Sequence, residues 1–275
     1  MKILVTGANG YLGSGIVKNI LDCGNEVIAA DFHTDRIDER AKKINCDLFK
    51  IKDPFDYFGR PDVVLHLAWR DGFVHYSDAH IDDLPKHYHF LKKLAESGIK
   101  RIAVMGSMHE IGFFEGSINE NTPCHPVTQY GIAKNALHDL CKLMCKKNNV
   151  QLQWLRGYYI VGNTEYGSSI FSKLYSAAKS GKKEFPFTTG QNQYDFLDYP
   201  DFCKAVAVAV SQNKIIGTIE IASGHPEKLA DRVEKFIQDN NLDIRLKYGA
   251  FPDRPYDSKA IWGNSTKLDN ILKDN

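Results

Sequence analysis

The sequence predicts an α/β fold: a doubly wound parallel sheet with a smaller, interleaved C-terminal lobe. Three observations lead there. Short β-branched apolar runs alternate with helix-length amphipathic stretches through the first half of the chain. The first of those runs passes directly into a glycine-rich turn. Parallel neighbours need crossover helices, and the alternation supplies them at the required spacing.

Taken in order, residues 3–5, 26–30, 63–67 and 102–105 read as strands, each bounded by polar or glycine punctuation. Helical periodicity runs over 11–23, 82–97 and 127–148, with Gly24 and Gly98 closing the first two. Beyond Gly162 the pattern loosens into Gly, Ser, Thr and aromatic residues. A helix at 169–180, a turn-rich stretch at 181–193, a helix at 200–212, a strand at 218–222 and a helix at 228–240 follow. The division expected is a nucleotide-binding core of 1–165 and 195–223, with a second lobe of 166–194 and 224–275.

Composition narrows the partners. The 275 residues are 43% apolar and 25% charged, and 35 Lys plus Arg against 34 Asp plus Glu leave a formal charge of +1. No field of one sign exists to gather nucleic acid or an anionic membrane. The apolar stretch 205–210 falls far short of the ~20 residues a membrane helix needs, and the opening run is too short for a secretory signal. A cytoplasmic protein is expected, with no nucleic-acid or membrane partner. Six cysteines (Cys23, Cys46, Cys124, Cys141, Cys145, Cys203) are scattered and read as reduced thiols. Cys141 and Cys145 lie one helical turn apart with His138 nearby, but no fourth ligand is evident, so packing is the reading and no metal is expected.

Thr6-Gly7-Ala8-Asn9-Gly10-Tyr11-Leu12-Gly13 joins the first strand to the first helix. Glycines at 7, 10 and 13 allow a tight turn, close backbone approach to a pyrophosphate, and close helix–strand packing. The helix start presents N–H groups and a positive dipole end to that anion. The second strand ends at Asp31, 24 residues beyond Gly7, where a dinucleotide (Rossmann) unit places its ribose-binding carboxylate. An acid there repels a 2′-phosphate, so NAD is expected over NADP, with Arg36 close behind to moderate the preference.

Tyr130 and Lys134 stand four residues apart, hence on one face of a helix. A phenol titrates near 10. An ammonium ~4 Å away contributes about 4 kcal/mol at an effective dielectric near 20, roughly three pKa units before desolvation subtracts its share. Such a tyrosine exchanges protons with an alcohol or ketone. Ser107 follows the strand at 102–105, and in a doubly wound sheet ligands bind beyond the carboxyl ends of strands. Its hydroxyl is therefore expected in the same crevice, bonded to the reacting oxygen.

With these motifs the chain resembles the extended short-chain dehydrogenase/reductases, in particular their nucleotide-sugar epimerase/dehydratase/reductase group, over nearly its whole length. Thr6 to Gly13 is similar to the family's TGxxGxxG fingerprint and Tyr130/Lys134 to its YxxxK pair. Cys46-Asp47-Leu48 resembles the adenine-contacting segment, and His66-Leu67-Ala68 the segment beside the nicotinamide. Ser107, five residues before Gly112, falls where the family's catalytic serine stands. Arg156 to Gly162, Tyr194-Asp195-Phe196 and Arg254-Pro255 resemble substrate-lobe landmarks. The resemblance implies Ser107, Tyr130 and Lys134 as catalytic residues. It implies a cofactor site of Gly7, Asn9, Gly10, Tyr11, Leu12, Gly13, Asp31, Phe32, Asp47, Leu48, Leu67, Ala68, Trp69, Tyr130, Lys134 and Tyr158. Ser107, Met108, His109, Tyr159 and Arg254 would face a nucleoside-diphosphate sugar. Family members often dimerise through two helices, here 82–97 and 127–148, so a homodimer is expected.

Departures from the family pattern select among reactions. Dehydratases of the group carry Asp-Glu directly after the catalytic serine or threonine; here Met108-His109 stand there and Glu110 comes one place late, which disfavours dehydration. Asp83 stands in place of a helix asparagine, Tyr159 where an asparagine follows Arg156, and Tyr194 where an arginine often precedes Asp195. Arg254 is then the remaining candidate for the diphosphate. The lean is to a 4-keto-6-deoxyhexose reductase, with a 4-epimerase that retains NAD as the alternative, and His109 is either an added acid near the sugar or a packed strand-end residue. A non-catalytic NAD-binding sensor is a third reading, against which the presence of Ser107, Tyr130 and Lys134 argues.

Overall fold

In the computed structural model, which describes residues 1–162, 164, 167, 169–252 and 258–274, the apolar runs become strands in sequence order. The strands are β1 (Lys2–Thr6), β2 (Glu26–Asp31), β3 (Lys42–Asn45), β4 (Val63–His66), β5 (Arg101–Ser107), β6 (Gly116–Ile118) and β7 (Gln151–Gly157). They continue with β8 (Tyr159–Val161), β9 (Glu184–Pro186), β10 (Gln193–Asp198), β11 (Gly217–Ile221), β12 (Pro226–Lys228), β13 (Arg245–Lys247) and β14 (Ala260–Gly263). The helices are α1 (Gly13–Asp22), α2 (Pro54–Tyr57), α3 (Ala79–Glu96), α4 (Gln129–Asn148), α5 (Ile170–Lys179), α6 (Tyr199–Ser211), α7 (Leu229–Asp239) and α8 (Thr266–Lys273).

Seven parallel strands form the main sheet in the order β11-β7-β5-β4-β1-β2-β3. Strand order reverses between β1 and β4, which opens a crevice outside their carboxyl ends. Alternating side chains feed two cores, as a sheet covered on both faces requires. Ile3 and Val5 of β1 meet Ile16 and Val17 of α1 and Val206 of α6. Leu4 points the other way, into a core with Phe90 and Leu91 of α3 and Leu137, Cys141 and Cys145 of α4. The Cys141/Cys145 face is thus packing surface.

A second sheet, β12-β10-β14-β6 with β8 added on β10, and a parallel pair β9-β13 build the smaller lobe. Its core holds Phe171, Leu174, Phe187, Phe196, Val233 and Phe236. Asp195, fully buried, fastens the two sheets. Its carboxylate accepts from Ser223 N (2.7 Å) and Gly224 N (2.9 Å) beyond β11 and from Gly263 N (3.2 Å) in β14.

Two segments lie across the division drawn from sequence. Strand β10 belongs to the small sheet, while α8 returns to the large core through Leu268 and Ile271. Polar residues hid both β3 and β7 from a pattern reading: β7 buries Gln153 and Arg156 because each finds partners inside. No described helix is long and apolar enough to cross a membrane.

Candidate active site

The turn after β1 depends on glycine. Gly7 has φ +68°, and a Cβ there would sit 2.6 Å from Ala68 N; at Gly13 it would meet Gly7 O at 2.2 Å. Helix α1 starts with no side-chain cap on its N–H groups, leaving them to face an anion. Above the turn, Asp31 accepts from Asn9 N (2.9 Å) and Phe32 N (2.7 Å), so the acid and the loop hold each other. Arg36 is fastened to the same loop, donating to Asn9 O at 3.2 Å.

These groups border one cleft of about 1240 Å³ at the strand-order reversal. That exceeds the ~300–1,000 Å³ of a pocket for a single small ligand. Gly7, Gly10, Tyr11, Leu12, Gly13, Asp31, Phe32, Asp47, Leu48, Leu67, Ala68 and Trp69 line it, together with Ser107, His109, Tyr130, Lys134, Tyr158 and Tyr159. Two expected residues turn elsewhere. The Asn9 side chain binds Asp35 (3.0 Å) and Arg36 N (2.8 Å), so its part in the loop is structural. Met108 packs inward on Ile111 and Ile118, because the turn 108–110 rotates it away from the opening. Arg254 lies outside the described residues.

Local sequence explains how the three residues expected to be catalytic come together. Thr128 caps α4, its hydroxyl accepting from Gly131 N at 3.1 Å, which sets Tyr130 in the first turn. A Cβ at Gly131 would lie 2.3 Å from His109 O, so glycine lets α4 approach the end of β5. Ser107 and Tyr130 thereby line the same cleft, and the Ser107 hydroxyl favours the ionised phenol. Lys134, one helical turn on, is buried; its Nζ donates to Met105 O at 2.8 Å and stands 3.8 Å from the centre of the Trp69 ring.

Burial dominates the titration of both groups. Tyr130 is pushed up to about 12, with the Ser107 hydrogen bond working the other way. Lys134 is pushed down to about 7, opposed by the Glu110 carboxylate. Desolvation is the largest cause at the phenol, and the Lys134 Nζ stands 5.9 Å from its ring centre.

Sequence reasoning missed the imidazole shell. His75 stacks on Tyr130 (centroids 5.4 Å, planes 10° apart), its carbonyl accepts Tyr130 N at 3.0 Å, and its ring lies 4.3 Å from His109. His80 accepts from Trp69 Nε1 at 3.0 Å, and His87 stacks on Trp69 at 4.5 Å. Burial lowers His87 to about 3 and His109 to about 4, so these rings are neutral at pH 7. One signal was available: five of the ten histidines fall within residues 66–89. Asp83 sits at the cleft edge between Arg70 (2.9 Å) and Lys86 (2.6 Å).

The donor set fits NAD. A loop that no side chain could enter without clashing, uncapped helix N–H groups and an acid at the β2 end are what a pyrophosphate and an unphosphorylated ribose require. Among known proteins, the model of the NAD dependent epimerase/dehydratase family matches residues 3–222. The dTDP-6-deoxy-L-talose 4-dehydrogenase (NAD(+)) of Aggregatibacter actinomycetemcomitans is 40% identical over 272 residues, 96% of this chain and 99% of that protein. The UDP-glucose 4-epimerase of Lactobacillus helveticus is 23% identical, over 99% of this chain and 91% of its own. In fold, the chain is similar to a crystal structure of UDP-glucose 4-epimerase (TM-score 0.85, 20% identity, 100% of this chain and 92% of that one). It is also similar to the UDP-glucuronic acid 4-epimerase of Bacillus cereus in complex with UDP-glucuronic acid and NAD (TM-score 0.81, 21% identity, 100% and 94%).

Proposed function

Because the chain belongs to the NAD dependent epimerase/dehydratase family, we propose that this NAD-dependent enzyme interconverts the 4-hydroxyl and 4-keto forms of a nucleoside-diphosphate 6-deoxyhexose, running as a 4-keto reductase. The observation that carries the choice of substrate is the 40% identity, over nearly the full length of both chains, to a dTDP-6-deoxy-L-talose 4-dehydrogenase.

The glycine turn and the α1 start would hold the pyrophosphate of NAD, Asp31 the adenosine ribose, and Lys134 the nicotinamide ribose. Bound NAD supplies hydride transfer to and from a sugar carbon. The chain's own side chains handle the proton. A phenol held protonated to about 12 is an acid for a carbonyl oxygen, so Tyr130 gives its proton to sugar O4 while Ser107 donates a hydrogen bond to the same atom. The nearby Lys134 ammonium stabilises the phenolate left behind. Glu110 turns into the core rather than the cleft, which leaves no carboxylate at the place where the family's dehydratases keep theirs.

The substrate diphosphate falls to Arg254, and the sugar ring to His109 and Tyr159. Helices α3 and α4 lie side by side with Ile81, Ile132 and Leu143 exposed, which supports pairing with a second copy in a homodimer. Six scattered cysteines, too few for a disulfide scaffold in a chain of this length, support a cytoplasmic setting. The test is incubation of the purified protein with NADH and a panel of 4-keto-6-deoxy sugar nucleotides. Stoichiometric loss of nicotinamide absorbance supports the reductase. Isomer formation without net oxidation would replace it with a 4-epimerase, and binding of NAD with no turnover of any sugar would leave a sensor.

A further inference from the structure

Beneath Ser107 lies a carboxylate with no solvent exposure. Glu110 Oε1 accepts from Ser107 N at 2.7 Å, both of its oxygens accept from Trp154 Nε1 at 3.0 Å, and Oε2 accepts from Arg156 Nη2 at 3.3 Å. Arg156 in turn donates to Glu220 Oε1 at 2.8 Å, and Tyr158 OH donates to Glu220 Oε2 at 2.9 Å. The space is carved for this group: a Cβ at Gly106 would sit 2.7 Å from Glu110 Oε1 and 2.2 Å from Trp154 Nε1.

Burial pushes the Glu110 carboxyl up from its ordinary value, and against that push the Arg156 guanidinium and a set of hydrogen-bonding neighbours that are all donors favour the carboxylate. A buried ion pair of this kind adds little stability over a well-packed apolar replacement. Its geometry points instead at the site. Glu110 and Ser107 form a reciprocal cap on the turn 108–110, with Ser107 Oγ accepting from His109 N at 3.3 Å. That cap fixes the backbone from which Ser107 borders the cleft beside Tyr130.

We propose that Glu110 is a positioning residue of the reaction: from beneath the site it holds the Ser107 backbone in place. Glu110 is not among the residues that line the cleft. The groups that face it are Arg156 from β7, Glu220 from β11, and His138 (3.8 Å) and Lys134 from α4, with Cys124 from the loop before α4. Its charge raises the pKa of Lys134 against the pull of burial, and that of Tyr130 as well. The inference rests on the reading of Ser107, Tyr130 and Lys134 as the reacting groups.

Two substitutions separate the roles. Glu110→Asp keeps the charge but withdraws the acceptor from Ser107 N; Glu110→Gln keeps an acceptor but removes the charge. With NADH and a turned-over 4-keto sugar nucleotide, Glu110→Asp should lower kcat on the order of 10- to 100-fold, the cost of a misplaced group. Its KM for NADH and the midpoint of its pH profile should stay put. Glu110→Gln should move that midpoint to lower pH. The double variant Glu110→Asp/Ser107→Ala should be no slower than Ser107→Ala alone, because Glu110 acts through the serine. Should one variant fail to fold by circular dichroism, the other carries the test. Wild-type-like kcat with an unmoved pH profile in a folded variant, or additive losses in the double variant, overturns the assignment. A wild type that binds NADH yet reduces no sugar overturns the reaction itself, and this inference with it.

Discussion

The Lys134 ammonium stands 3.8 Å from the centre of the Trp69 indole ring, whose stack with His87 lies at 4.5 Å. A desolvated cation on an indole gains about 2 kcal/mol. Replacing the ring with leucine should therefore lower kcat/KM about 30-fold at pH 7. It should also move the Lys134 titration below its value of about 7. Trp69→Phe keeps a π-face and should lose less than half as much in logarithmic terms. A pH–rate profile of Trp69→Leu that superimposes on the wild type sinks the cation–π account.

Removing the acid tests the proton step. Tyr130→Phe should bind NAD within about twofold of the wild type and lose at least about two powers of ten in kcat. Near-normal turnover of a 4-keto sugar nucleotide by this variant would assign the proton to another group.

Asp31 is expected to set the choice of cofactor. A 2′-phosphate beside its carboxylate meets a like charge at a cost of several kcal/mol, so NAD should be preferred by at least about 10²-fold in kcat/KM. Asp31→Ser should narrow the ratio by about tenfold or more. The same change loosens the glycine turn, since Asn9 N and Phe32 N lose their acceptor, so KM for NAD should rise too. A ratio that does not move places selectivity elsewhere, with Arg36 the neighbour to examine.

Acid should destabilise the protein earlier than its net charge suggests. Burial depresses His66 strongly, His87 and His138 to about 3, and His109 to about 4. A group whose folded pKa lies below its unfolded value stabilises above the unfolded value, near 6.5, and that stability is lost as pH falls toward the folded one. Each such histidine contributes a slope of about 1.4 kcal/mol per pH unit in that window. Glu220, pushed up to about 7, works oppositely: its contribution is present below about 4.5 and lost as pH rises through 7. Urea melts between pH 6.5 and 4 should show a shallower loss for His138→Phe, which keeps the stack on Trp154. Parallel curves for variant and wild type would contradict the histidine assignment.

Much of this was legible in the sequence because the signals were local. Val63–His66 and Arg101–Ser107 announce themselves by composition, and Tyr130 and Lys134 by spacing. Strand β7 was not, since Gln153 and Arg156 read as surface residues until Ala209 O, Ile215 O, Glu110 and Glu220 arrive from distant segments to bind them. The outward look of Met108 failed for a similar reason: the turn after Ser107 is set by Glu110, not by strand alternation. His75 escaped notice because nothing in its neighbours along the chain indicates that its ring will lie against Tyr130.

The course of the polypeptide has a thermodynamic consequence. From β10 the chain crosses to α6, goes back for β12 and α7, and finally sends α8 home to lay Leu268 and Ile271 against the first sheet. Neither half can come apart without pulling a seam stitched through the other, and Asp195 knots that seam from within. Heat should melt such a molecule in one event, and a ligand gripping only the glycine turn lends its binding energy to both halves.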